Sequence, residues 1–123
     1  MTFALWMILA TSVLIYATVY YAKHDKKYNN SSPREFLEQQ KGAKKRAYWA
    51  HQNGFEIFPL FAAAVIIAHM AGAPQAQIDM LAGGFVLSRI GFTFAYIMDR
   101  STVRSLIWGL GFFCIIGLFV ISA

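Results

Sequence analysis

Cysteine is nearly absent from this chain. The one thiol, Cys114, leaves no route to an intrachain disulfide. Its neighbours Phe113, Ile115 and Ile116 supply no base or cation to activate it, so Cys114 reads as a packing residue. Charge is also scarce, at 14% of 123 residues, against roughly 25% in soluble domains. A membrane protein is expected rather than a soluble domain. Histidine occurs three times, as His24, His51 and His69. The last two are eighteen residues apart on one expected helix, too far to share a metal ion, and no metal site is expected. Three further signatures are missing: a glycine loop for phosphate, a zinc motif and a Ser-His-Asp set. The first apolar segment has no basic stretch before it and exceeds the roughly 7–15 residues of a signal-peptide core. It is expected to be a retained helix.

What the chain does have is apolar length. Hydrophobic residues make up 58%, gathered into segments near 1–22, 45–71, 76–98 and 102–122. Each holds about 20 residues or a few more, and at a rise of about 1.5 Å per residue each crosses a hydrocarbon core of roughly 30 Å. The expected fold is all-α: an integral membrane four-helix bundle forming one domain over residues 1–123. Trp6 near one end of the first helix and Tyr16, Tyr20 and Tyr21 near the other fit the aromatic belts of a bilayer. Between the first two spans, Ser32 is placed to cap a short helix with Pro33 at its first position and Glu35 at its third. Phe36 and Leu37 give that piece a weak apolar face. Pro59 is predicted to kink the second span. Asp99-Arg100-Ser101 is a very tight loop that forces the last two spans into a hairpin. Gly109, Gly111 and Gly117 permit close helix contact in the last span.

The basic residues are unevenly spread. Eight of the eleven Lys and Arg lie between Lys23 and Arg46. Arg100 and Arg104 flank the third loop, and the second loop, Gly72 to Gln77, has none. The two basic loops fall on one side, which the positive-inside rule makes cytoplasmic. Both termini are then expected outside the cytoplasm. The net charge of +5 follows topology and anionic headgroups rather than nucleic acid, which is not an expected partner. A multi-pass protein of the bacterial inner membrane is the expected location, because the chain is compact and carries no recognisable organelle-targeting segment.

Two ionisable residues interrupt the apolar spans: Glu56 in the second and Arg89 in the third. Such residues are costly in a bilayer and usually face a bundle interior, pair with each other or serve a function. Both lie roughly 14 Å from the basic side by helical rise, which predicts a Glu56–Arg89 ion pair. On the second span Arg46, Trp49, Asn53 and Glu56 are spaced three, four and three apart, one stripe of a helix. On the third, Arg89, Phe92 and Tyr96 share a face. Arg104 and Trp108 are four apart on the fourth, with Ser105 beside them. Asn53, Tyr96, Arg104 and Ser105 lie nearest the basic side, where they are expected to form a polar cationic pocket for a small anionic ligand. An arginine there binds a carboxylate bidentately or favours a thiolate.

The run Trp49-Ala50-His51-Gln52-Asn53-Gly54-Phe55-Glu56-Ile57-Phe58-Pro59 resembles the second-helix signature of the MAPEG family, the membrane-associated proteins of eicosanoid and glutathione metabolism. That signature reads Arg-Ala-x-x-Asn-x-x-Glu, often with a proline soon after. Arg89 and Tyr96 resemble the family's third-helix pattern, and Arg104-Ser105 its fourth-helix start. The resemblance covers nearly the whole chain. It implies a homotrimer that binds glutathione between subunits near the cytoplasmic face, with apolar small molecules arriving from the membrane lipid. By that resemblance Arg104, with Ser105, would activate the glutathione thiol, while Arg46, Asn53, Glu56, Arg89 and Tyr96 would bind the tripeptide.

One departure matters. The signature arginine is Trp49 here, and Arg46, one turn earlier, is its possible stand-in. Phe92 also occupies a position that is polar in some relatives. The expected function is a glutathione-dependent membrane transferase or peroxidase acting on hydrophobic electrophiles. The alternative is a lipid-binding or scaffold protein of the same fold without catalysis, which Trp49 favours. A proton-coupled exporter using Glu56 is a third reading; against it, the first helix carries no acidic residue.

Overall fold

In the computed structural model, which describes residues 1–123, four long helices and one short helix account for nearly the whole chain. They are α1 (Phe3–Lys23), α2 (Pro33–Gln39), α3 (Gly42–Met70), α4 (Gln75–Ile97) and α5 (Ser101–Ser122). All but α2 are long and apolar enough to cross a membrane. The helix ends lie within a few residues of those expected, because the punctuation is strong. Gly72, with φ of 71°, ends α3 as its left-handed cap. The Ala73 amide then donates to the Ala68 carbonyl at 3.1 Å, and Pro74 prevents continuation. At the end of α4 a non-glycine does the same work. Asp99 takes φ of 58°, and the Arg100 amide donates to the Ala95 carbonyl at 2.8 Å. This closes the α4–α5 hairpin in three residues. The helix α3 continues through Pro59.

Ser32 precedes α2, but its hydroxyl does not cap it. The hydroxyl instead accepts from Asn29 Nδ2 at 3.3 Å. The expected capping box is replaced by a turn that Asn29 organises.

The bundle centre is made of small residues and stacked rings. Ala64, Ala68 and Ala82 are fully buried, so α3 and α4 approach closely, and Phe61 stacks on Phe85 at 3.9 Å between centroids. In a bilayer there is no hydrophobic force between helices, and such packing carries association. Hydroxyls inside the spans bond back to their own helix, as Thr11 does to Met7 O and Thr93 to Arg89 O, both at 2.9 Å. No hydroxyl proton of these pairs is offered to lipid.

The two ends of the bundle are tied differently. At the end without lysine or arginine, Asp79 Oδ1 on α4 accepts the Ala4 amide at 2.9 Å, capping α1 from another helix, and Thr2 pairs with His69 at 2.8 Å. At the basic end, three consecutive cations at the start of α3 close three other helices. Lys44 donates to the His24 carbonyl after α1. Lys45 donates to the Glu38 carbonyl and, at 3.3 Å, to that of Leu37. Arg46 Nε donates to the Ile97 carbonyl of α4 at 2.9 Å. Cations at helix C-termini satisfy orphan carbonyls and complement the helix dipole.

The first loop is held partly by Asp25. Its carboxyl lies below the ordinary value of 3.8, first because the Lys27 amide donates to it, then through Gln40 and the charges of Lys44 and Lys27. A lowered carboxyl stabilises the fold above its ordinary value and loses that contribution as pH falls through its own lower value. Acidification below about pH 4 is therefore expected to lower the protection of the Lys27 amide, measured as its exchange rate against the intrinsic rate at the same pH, while the span amides stay protected. Unchanged protection at Lys27 would rule out this tether.

Candidate functional site

A cavity of about 610 Å³ opens between α3, α4 and α5. From α3 it takes Trp49, Gln52, Asn53 and Glu56; from α4, Phe92 and Tyr96; from α5, Arg104, Ser105 and Trp108. The α3 set follows the i, i+3, i+4, i+7 rule, one continuous face of a helix. Asn53, Tyr96, Arg104 and Ser105 are thus brought together, as their spacing and depth predict, and Glu56, expected there by the family resemblance, joins them.

Two of the expected residues stand elsewhere. Arg46 lies on the same stripe but does not line the cavity; its guanidinium turns to the end of α4 and bonds to Ile97 O. Arg89 does not line it either. It is buried, at 4% exposure, and its guanidinium sits 4.0 Å from the centre of the Phe92 ring. The expected Glu56–Arg89 ion pair does not form. Glu56 is on the open face of α3, where its Oε2 accepts from Asn53 Nδ2 at 3.1 Å, whereas Arg89 points into the packed layer.

Aromatic rings join the two arginines instead. Phe92 meets Tyr96 edge-on at 5.6 Å, and the Arg104 guanidinium lies 4.4 Å from the centre of the Tyr96 ring. The order Arg89–Phe92–Tyr96–Arg104 forms a column with a cation at each end. Each cation–ring contact is worth about 0.5–2 kcal/mol, more where water is excluded. This explains an aromatic at position 92. Tyr96 also faces Trp49 at 6.5 Å, and Trp108 stacks on Phe112 at 5.3 Å. Arg104 is thereby oriented with little side-chain freedom to lose on binding.

The cavity carries one cation, Arg104, and one carboxylate, Glu56. Asn53 donates one amide proton to Glu56, and its Oδ1 is buried with no partner. An orphaned buried acceptor costs about 1–3 kcal/mol, so the site is complete only with a donor from outside. The geometry fits a zwitterion, with an ammonium near Glu56 and Asn53 and an anion near Arg104.

Gln52 and Trp108 line the cavity without having been assigned to it from the sequence. Gln52 completes the helical face begun by Trp49, a signal present in the spacing. Trp108 shares the Arg104 stripe, and only the closeness of α5 to α3 shows that it reaches the same cavity.

Arg46→Met is expected to lower stability by about 1.5 kcal/mol, the low end for a charged hydrogen bond, because the site is half-buried. Chemical unfolding in detergent micelles measures this. Wild-type stability would mean that Ile97 O is satisfied by water.

Four apolar spans with a two-charge cavity among three of them define an integral multi-pass membrane protein. The chain belongs to the MAPEG family, whose family model matches residues 1–123, its whole length. Comparisons with curated proteins and with solved structures give no match.

Proposed function

We propose that this protein is a glutathione-dependent membrane transferase or peroxidase acting on hydrophobic electrophiles. The observation that carries the reading is the pairing of Arg104, held against Tyr96, with the free acceptor Asn53 Oδ1 beside Glu56. Glutathione has an ammonium and a thiol, groups that match the one carboxylate and the one cation of this cavity. The ammonium donates to Glu56 and Asn53 Oδ1. Arg104 lies where it favours the thiolate, the nucleophilic form, and Ser105 or Tyr96 donates a hydrogen bond to the sulfur. The thiol proton leaves to water. The thiolate then forms a carbon–sulfur bond as the electrophile expels its leaving group. With a hydroperoxide, sulfur instead takes the terminal oxygen as a sulfenic acid, the alkoxide departs as the alcohol on taking a proton from water, and a second glutathione gives the disulfide and water.

Glu56 is exposed on the single chain, an expensive position if it faced lipid. A homotrimer in which another copy covers this face accounts for it. The basic end would face the cytoplasm of a bacterial cell, with both termini outside.

The second reading, a lipid-binding or scaffold protein without catalysis, is favoured by Trp49. One cation of the family signature is missing, and Arg46 is engaged at Ile97 O. Ultraviolet difference absorbance of the detergent-purified protein on adding glutathione separates the two. A thiolate band at neutral pH is expected. No band and no glutathione binding would sink the enzymatic reading.

A further inference from the structure

The cavity between α3, α4 and α5 has an apolar lining of one kind. Its four apolar side chains, Trp49, Phe92, Tyr96 and Trp108, are all aromatic, and no leucine, isoleucine, valine or methionine lines it. Aromatic residues are 16% of a chain that is 58% hydrophobic, so an aliphatic lining is the default from which this cavity departs. Phe92 and Tyr96 are committed, because each carries an arginine on its ring, at 4.0 and 4.4 Å. The two indoles are not. Phe112 stacks on Trp108 at an interplanar angle of 11°, yet Trp108 is still 37% exposed, and Trp49 is 44% exposed. They reach one cavity from two different helices, α3 and α5. A tryptophan that only anchors a span at the membrane interface needs no such convergence.

We infer that Trp49 and Trp108 are specificity-determining residues that select an electrophile carrying a flat aromatic ring over one carrying a fatty chain. The chemistry of the step rests on the glutathione reading above; the ring preference does not. An indole face is electron-rich. A ring conjugated to an electrophilic carbon is electron-poor, and such a pair stacks with a gain beyond that of the buried area. A fatty chain gains nothing comparable, and it loses rotational freedom on binding that a rigid ring never had. Arg104 and Ser105 line the same cavity, so a ring held at the indoles shares one space with the thiolate. With an enone, sulfur bonds to the β-carbon and the π pair of the double bond moves to the carbonyl oxygen as an enolate. Water then returns the proton that the thiol released.

The test is conjugation, by the full chain in detergent, of two enones of equal carbon number, one bearing a phenyl ring and the other a hexyl chain. Each rate is taken relative to the uncatalysed reaction with glutathione at the same pH. Wild type is expected to favour the phenyl enone in kcat/KM by about tenfold, a few-fold from each indole. Trp49→Leu/Trp108→Leu should lose that preference through KM while keeping the glutathione thiolate band. Trp6→Leu, a change outside the cavity, should keep the preference. Circular dichroism melts check that each variant is folded. If the double variant unfolds, Trp108→Leu and Trp108→Phe replace it; the first is expected to lose a few-fold of the preference and the second to retain most of it. Equilibrium dialysis of the matching saturated ketones, which cannot react, repeats the comparison without turnover. A missing thiolate band would remove the glutathione reading, and the dialysis would still decide the ring preference. Equal binding and equal relative rates for the phenyl and hexyl ligands in wild type overturn the inference, as does a preference that survives in a folded leucine variant.

Discussion

Arg104→Ala is expected to abolish the glutathione thiolate band and to lower conjugation by about 10²- to 10³-fold, the usual loss when one donor to a developing charge is removed. The reasoning is local. Arg104 is the only cation lining the cavity, so nothing nearby can replace its charge. Its guanidinium also packs on Tyr96, and truncation will cost stability of about 0.5–1 kcal/mol. That loss is too small to unfold the bundle, so activity and melting temperature should separate. Arg104→Lys restores charge without the planar fork. It should recover part of the band but bind glutathione more weakly. A full band in Arg104→Ala would show that the thiolate is stabilised elsewhere, and the assignment of Arg104 would fall.

The second large effect concerns packing. Gly54→Leu is expected to prevent the α1–α3 seam from closing, and Gly54→Ala to destabilise it by about 1–3 kcal/mol. A Cβ on Gly54 would stand 2.7 Å from Ile15 Cγ1, inside any real carbon contact. Ile15 is itself buried at 5% exposure, and its carbonyl pairs with His51 Nδ1 at 2.9 Å. Neither helix can give way without losing that bond. Thermal unfolding in micelles measures the cost. Ile15→Ala added to Gly54→Ala should recover part of it, because the double change removes the colliding atoms. Additive losses would mean that the seam yields somewhere else.

Seen from these residues, the sequence is legible to different depths. The spans are readable because each is long, apolar and bounded by turn residues such as Gly72 and Pro74. Asn53, Tyr96, Arg104 and Ser105 could be grouped because helical spacing and depth are one-dimensional quantities. Side-chain direction is not. Arg46 and Arg89 lie on the right stripes and at the right levels, yet one caps α4 and the other packs on Phe92. A long arginine reaches partners over half a turn of helix, and only the neighbours decide among them. The ion-pair expectation failed for the same reason. It matched depths but could not know that Glu56 turns outward. Ser32 shows the limit at short range, since Asn29 competes for its hydroxyl.

The three consecutive cations at the start of α3 also set an order of events. Lys44 and Lys45 find their carbonyls in chain already synthesised, on α1 and α2. Arg46 must wait for Ile97, fifty-one residues later. During membrane insertion the first half can therefore lock as α3 emerges, while Arg46 remains an open hook until the α4–α5 hairpin arrives. The last of the three bonds then reports that the bundle is complete.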